Sequence, residues 1–486
     1  MSSRDGAPAG APISSRSGAG GAANGAGLQT ATLSDTSVLA QSVANIAPTG
    51  AVAILVAPVA ATAGNGAWLT WLISMGTIVL VGVCITALAR RITGAGSLYS
   101  YATLGLGERA GWLTGAGLLL LTLAALPVLT IAMAIFETAF VAGVFGVDIS
   151  GPGWQYLLYV VTLALSAVIA LSDVRLSTRT LLIAELVSVL AVIGLLVAVV
   201  LHKGSVVDAS QLRLEGVDAT ALFNGCVITF FAFAGFESSS ALGLEAKRPR
   251  VAIPRALIGS VVIGGAFFAL NAYTQQLGLG LGGLTASASP LNELAGLLGA
   301  SWLGYVLALL VCVSAIACIV ANLNGVARVL FSSAERGQLP ASFTRLSRHK
   351  VPWVPIVAVL VVELVFLTGV ALMGADPHLV LSNSSSTAGF AVLVAYLITV
   401  VATPVFLRRR GELRLSHLVV ATAAALTIVV VLEESVRHAA GTPGRFLPWA
   451  VLAYFVVAFA VFGLRHGGKL SAAEAAEPVQ RDALAD

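Results

Sequence analysis

Charge is scarce in this chain. Only 10% of its 486 residues are Asp, Glu, Lys or Arg, against about 25% in a typical water-soluble protein. Cysteine is scarcer: Cys84, Cys226, Cys312 and Cys318 all fall inside apolar runs, and none has Cys-x-x-Cys spacing. Neither a disulfide framework nor a zinc site is indicated, and the four read as packing residues with free thiols. No Walker motif, HExxH or nucleophile elbow occurs. The glycine-rich stretches Gly105-Leu106-Gly107 and Gly278–Gly283 follow no strand-like run, so they are not nucleotide loops. These absences argue against a primary pump, an intramembrane protease or another enzyme, and imply no cofactor and no metal.

What the chain has in abundance is apolar residues, at 58%, with a mean hydropathy of +0.94. One soluble core cannot hide that much apolar surface, so lipid must be the solvent. Its long apolar runs do not alternate with polar residues, which excludes an outer-membrane barrel. Runs of the length needed to cross hydrocarbon, ~21 residues each, lie near 38–63, 68–89, 112–140, 154–172, 180–201 and 221–244. Six more lie near 254–277, 302–327, 354–373, 379–407, 416–432 and 448–464. The fold class expected is an all-α polytopic membrane protein of about twelve transmembrane helices.

Residues 1–36, rich in Gly, Ala and Ser, read as a disordered tail, and 467–486 as a second one. No basic start precedes an apolar core, so the first stretch is not a signal peptide. With twelve spans, 23 of the 27 Lys and Arg fall in segments on the side of the termini. Only Lys203, Arg213, Arg437 and Arg445 fall on the other. The positive-inside rule then puts both termini in the cytoplasm, in the cytoplasmic (inner) membrane.

Segments 1 and 6 are not ordinary spans. Ala47-Pro48-Thr49-Gly50-Ala51 sits near the middle of the first run, where Pro48 removes a backbone donor and Gly50 tolerates non-helical angles. Phe230–Glu237, FFAFAGFE, puts a glycine and an acid at mid-depth in the sixth. Freed backbone groups at that depth must line a cavity or meet protein. Interrupted segments at matching places in two halves point to a transporter site.

Three motifs carry a family resemblance. Phe230–Ala256 (FFAFAGFESSSALGLEAKRPRVAIPRA), Gly94–Tyr101 (GAGSLYSY) followed by Gly111-Trp112, and Gly325–Pro340 (GVARVLFSSAERGQLP) resemble motifs of the amino acid–polyamine–organocation superfamily of permeases. The resemblance implies a five-plus-five inverted repeat with two extra helices and alternating access around a central site. The repeats would be 37–201 and 202–407, followed by the extra helices at 408–466. It implies a small-molecule substrate, an amino acid or an amine. Thr49, Gly50 and Ala51 would take a substrate carboxylate on backbone N–H groups, and Phe231, Ala232 and Phe233 the ammonium and the gate. Phe231 matches the gate position, and Asn322 lines the side-chain pocket. Many members have Gly-Ser-Gly where this chain has Pro48-Thr49-Gly50, and Ser188 stands where several carry a sodium-replacing lysine.

Four acids lie in or near apolar runs: Glu137, Glu185, Glu237 and Glu363. An acid at mid-bilayer costs on the order of 3 kcal/mol, so each needs a partner, a cavity or a proton. Glu137 is expected to be solvated near an outer helix end, and Glu363 to hydrogen-bond between helices. Glu237 can satisfy N–H groups freed by the segment 6 break, or carry a proton. Glu185 is either bonded to a backbone carbonyl or a participant in proton coupling, with Ser188 on the same helix face. The coupling ion would be H+ or, with Ser188 contributing, Na+. The Ser382–Thr387 cluster reads as helix packing, and Asn383-Ser384-Ser385 is a weak glycosylation pattern. The reading is a secondary transporter of an amino acid, neutral because no acid stands at the Asn322 position. The alternatives are an amine or polyamine carrier, or a transport-like sensor.

Overall fold

The computed structural model describes residues 34–92, 98–172, 175–244, 246–335, 337–348, 351–439 and 444–466. The two expected tails fall almost wholly outside these, as do Gly94–Ser97, Glu245 and Arg336 of the quoted motifs. Among the described residues the protein is helical, without named strands; a single isolated bridge joins Leu346 and Pro352. Ten stretches are long and apolar enough to cross a membrane, and an eleventh apolar helix, Leu447–Gly463, is shorter. The protein is an all-α polytopic membrane protein.

The first segment is α1 (Asp35–Asn45), α2 (Pro48–Ile54) and α3 (Val56–Ala63). A residue before proline is pushed out of the right-handed helical region, and Ala47 takes the left-handed one at φ 48°, ψ 60°. Pro48 then starts a new helix, where its missing N–H is no loss and its φ is preset. Leu55 between α2 and α3 keeps helical angles, and bonds from Leu55 N–H to Ala51 O and from Val59 N–H to Leu55 O carry the ladder through. The stretch from Pro48 to Ala63 is therefore one half-helix.

Segments 2 to 5 are α4 (Ala67–Ala89), α6 (Glu108–Phe145), α7 (Pro152–Leu171) and α8 (Arg175–Lys203), with the short α5 (Leu98–Leu106) before α6. After a single turn, α9 (Ala209–Leu212), segment 6 begins as α10 (Ala219–Phe233). It stops at Ala234 and Gly235, whose φ of +107° suits only glycine without strain, and resumes as a 3₁₀ helix, Phe236–Leu244. Segments 7 and 8 are α11 (Pro249–Ala286) and α13 (Ser301–Glu335), joined through α12 (Pro290–Leu297). Segments 9 to 12 are α14 (Trp353–Met373), α15 (Pro377–Arg409), α16 (Leu415–Ala439) and α17 (Leu447–His466). Gly278–Gly283 lies inside α11, interrupted at Gly280 (φ 71°).

The centre is built by α6 against α13 and α15, and by α4 against α11. Gly389 lets α15 reach α10: a Cβ there would fall 2.0 Å from the Val227 carbonyl oxygen. Outer faces carry bare apolar side chains such as Val168 on α7, Leu190 on α8 and Val365 and Phe366 on α14, as a lipid-facing surface requires. On α8 the two faces separate cleanly. Glu185, Ser188, Val192, Leu195 and Val199 are buried at helical spacing, while Ile183, Leu186, Val187 and Leu190 are exposed.

Candidate functional site

The segment 1 break leaves the first N–H groups of the Pro48–Ala63 half-helix without intrahelical partners. One of them is taken by a side chain 136 residues away: Thr49 N–H donates to Glu185 Oε1 of α8 at 2.9 Å. Glu185 and Thr49 are both buried. This bond occupies Glu185 Oε1 as an acceptor, and among the described residues no bond from Glu185 to a backbone carbonyl is found. A negative carboxylate at this place also faces the positive end of the half-helix dipole. Two hydroxyls surround the same point. Ser314 Oγ of α13 lies 3.6 Å from where a Gly50 Cβ would stand, and both Ser314 Oγ and Thr49 Oγ1 are buried without a hydrogen-bond partner among the described residues. Ala51 is buried beside them, but its N–H donates to Ala47 O at 3.0 Å, so of the three expected carboxylate donors it is not a free one.

The segment 6 break is satisfied differently. Glu237 Oε2 accepts from Gly235 N–H at 3.1 Å and from Tyr396 Oη–H of α15 at 3.0 Å. The Phe236 carbonyl accepts from Ser42 Oγ of α1 and from Ser239 Oγ, each at 3.1 Å, and Ser42 also meets Ser260 of α11 at 2.9 Å. The Phe231 carbonyl already accepts Ala234 N–H at 3.0 Å. Among the three expected ligands from this segment, Phe233 is fully buried in a ring cluster with Phe268 (5.3 Å between centroids) and Trp71 (6.4 Å). Ala232 is buried and Phe231 half-buried.

Asn322 is less central. Its amide donates to its own helix at Cys318 O (2.9 Å), and eight residues, ~12 Å of helix axis, separate it from Ser314. Ser188 is buried on the Glu185 face. The Ser382–Thr387 hydroxyls turn back onto α15: Ser385, Ser386 and Thr387 bond the carbonyls four residues earlier. Glu363 Oε1 is buried without a partner among the described residues, where a helix–helix hydrogen bond was expected. Glu137 is half-buried, and its Oε2 is shielded without a partner among the described residues.

The two sides of the breaks differ. On the side where α1 begins, Asp35 pairs with Arg248 (2.7 Å) and Arg255 (3.5 Å). Arg91 and Arg410 both hold Glu412, lowering its carboxyl below the usual glutamate range through their hydrogen bonds. Tyr99 Oη donates to Gln338 Oε1, and Gln338 Nε2 to Glu108 Oε2, docking two of the sequence motifs on each other. On the opposite side lies a cavity of about 300 Å³ lined by Ile54, Pro58, Thr62, Phe136, His378 and Ser382, among others. Its floor includes Ala53, one helical turn above Thr49. The basic side, tied by these pairs, also carries a pocket of about 530 Å³ lined by Val83, Arg90, Arg255 and Ile258, among others.

Ser314, Ser42 and Ser260 were not legible in the sequence as site residues. Nothing distinguishes them from the serines that pack membrane helices; only the Gly50 approach and the break carbonyl single them out.

The family model described as "Amino acid permease" matches residues 37–468. An uncharacterized transporter of Mycobacterium tuberculosis is 27% identical over 303 residues, 61% of this chain and 64% of that protein. The low-affinity putrescine importer PlaP of Escherichia coli is 28% identical over 208 residues, 41% of this chain and 44% of the importer. The L-asparagine permease of Escherichia coli is 26% identical over 183 residues, 38% of this chain and 36% of the permease. The chain thus spans less than two thirds of the length of each of these relatives. With a family match that runs through both broken segments and all the helices between them, the chain belongs to the amino acid permease family.

Proposed function

We propose that this protein is a secondary active transporter that moves an amino acid with a neutral side chain across the cytoplasmic membrane by alternating access. The observation that carries the reading is the Thr49 N–H held by a carboxylate at the segment 1 break. An amide that binds one carboxylate, beside the unpartnered hydroxyls of Thr49 and Ser314, suits a substrate that brings its own. In this reading the N–H groups of Thr49 and Gly50 take the substrate carboxylate, with Ala51, whose own N–H is bonded to Ala47 O, packed beside them. Carbonyls of the segment 6 break around Ala232 and Phe233 take the ammonium, Phe231 closes over both, and Asn322 lines the far end of the pocket. Both termini are cytoplasmic, as the basic side carrying Arg91, Arg248, Arg255 and Arg408 to Arg410 supports. The repeats are 37–201 and 202–407.

Coupling is assigned to Glu185, with Ser188 on the same face, and to Glu237 at the second break. A proton-driven or exchange mechanism fits a buried acid that changes partners; sodium would instead recruit oxygens such as those of Ser188 and Ser314. The opposite reading, a carrier of amines, draws support from the same contact, since Glu185 already supplies a carboxylate, and from the similarity to a putrescine importer.

The test is counterflow with purified protein in liposomes, using labelled amino acids and amines one at a time. Accumulation of a neutral amino acid is the expected result. Accumulation of amines alone would replace it with the second reading.

A further inference from the structure

We infer that Glu185 is a built-in stand-in for the substrate carboxylate: ionised Glu185 and a carboxylate-bearing substrate compete for the Thr49 N–H. The inference rests on the amino acid reading above and adds to it the order of events at the site.

The geometry leaves little choice. Glu185 Oε1 stands 2.9 Å from Thr49 N, and that hydrogen can satisfy one strong acceptor. The half-helix end is buried and Gly50 has Ser314 against it, so two carboxylates placed there together would repel each other in a medium that screens poorly. A substrate carboxylate arriving from the cavity one turn above must therefore push Glu185 off. Displaced, Glu185 loses its charge-assisted bond while still buried, and a buried charge without a partner is costly. Its cheapest remedy is a proton.

Among the described residues no cation offers compensation, and the hydroxyls of Thr49 and Ser314 at this point are left to the substrate. Among the elements packed on α8, α2 carries no titratable residue. Helix α1 brings only Asp35, engaged with Arg248 and Arg255. Helix α11 brings Arg250 and Arg255 at its basic end and Tyr273, whose hydroxyl donates to Val206 O. Helix α12 brings Glu293, which accepts from Ser287. On α13, Tyr305, Cys312, Arg328 and Glu335 lie along the helix, and Cys318 is the group within electrostatic range of Glu185. Among the described residues, no cation from these elements faces the acid. Binding of a carboxylate substrate then takes up about one proton, and a ligand with its carboxylate blocked takes up none.

Two measurements on full-length protein in detergent test this. The first is binding of each of the twenty L-amino acids and of putrescine to wild type and Glu185→Gln. The second is proton uptake by wild type in weakly buffered indicator solution, with L-alaninamide as the blocked control for L-alanine. Removing the charged competitor exchanges a charge-assisted bond for a neutral one, roughly half as strong. The variant is expected to bind its amino acid about tenfold more tightly, with proton uptake near one per ligand in wild type and absent in the variant. An amino acid bound equally or more weakly by Glu185→Gln, or bound by wild type without proton uptake, overturns the inference and leaves the transport reading standing. Binding of putrescine but no amino acid, lost in the variant, overturns it by making Glu185 the counter-ion of an amine. Binding of none of these ligands by either protein removes the amino acid reading and this inference with it. Should the variant fail to fold, the wild-type proton measurement decides alone.

Discussion

Replacing Phe231 by alanine is expected to cost affinity, whereas the same change two residues later costs stability. The rings of segment 6 occupy different surroundings. Phe233 is fully buried between Trp71 and Phe268, so Phe233→Ala leaves a cavity in the core and loses about 3–5 kcal/mol. Phe231 is only half-buried beside the break, and truncating it removes less packing. If it closes over the substrate, losing an aromatic anchor that also excludes water costs about 2 kcal/mol of binding, a loss of roughly thirtyfold in affinity. Phe366, 45% exposed on the outer face of α14, is the control. The assay is half-saturation in counterflow together with thermal unfolding followed by tryptophan fluorescence. The expected pattern is a weak-binding, stable Phe231→Ala, an unstable Phe233→Ala, and a Phe366→Ala close to wild type in both. Unchanged affinity in a folded Phe231→Ala refutes the assignment of the gate.

Gly389→Ala puts a methyl 2.0 Å from the Val227 carbonyl oxygen. Backbone must shift between α15 and α10, so a destabilisation of at least 1–3 kcal/mol is expected in thermal unfolding. Thiols introduced at Ser347 or Gly411 are expected to resist an impermeant reagent in intact cells while one at Gly151 is labelled; labelling at Ser347 reverses the orientation. The Arg91–Glu412–Arg410 tie lowers the Glu412 carboxyl, so its contribution is full above the ordinary glutamate range and fades as pH falls through the lowered value. Glu412→Gln is expected to lower stability slightly at neutral pH, where the tie is fully present, and to change little below the lowered value, so the acid limb of its stability-against-pH curve is flatter.

The broken segments were legible because their causes are local. Pro48 and Gly235 dictate the backbone around them whatever packs nearby, and the structure breaks at Ala47 and at Ala234–Gly235. Helices outrun the apolar runs that announced them: α6 spans Glu108–Phe145 and α11 Pro249–Ala286. The short α5 carries no long apolar run and was not foreseen; its tyrosines Tyr99 and Tyr101 are buried by tertiary packing. Partners of the buried acids were the least legible part. Thr49 and Glu185 are 136 residues apart, and Glu237 and Tyr396 are 159 apart, so no local pattern announces either pair. Glu137 and Glu363 show the same limit, since burial of one carboxylate oxygen depends on neighbouring helices rather than on flanking sequence.

The central claim, that the Thr49 amide end is a carboxylate site which Glu185 fills until substrate arrives, is tested most directly by a cryo-electron microscopy structure in lipid nanodiscs. The protein would be saturated with the amino acid that counterflow selects. The ligand carboxylate is expected on the N–H groups of Thr49 and Gly50, with Glu185 withdrawn from the 2.9 Å contact it makes now. A ligand bound elsewhere, with Glu185 still on Thr49 N–H, would contradict it.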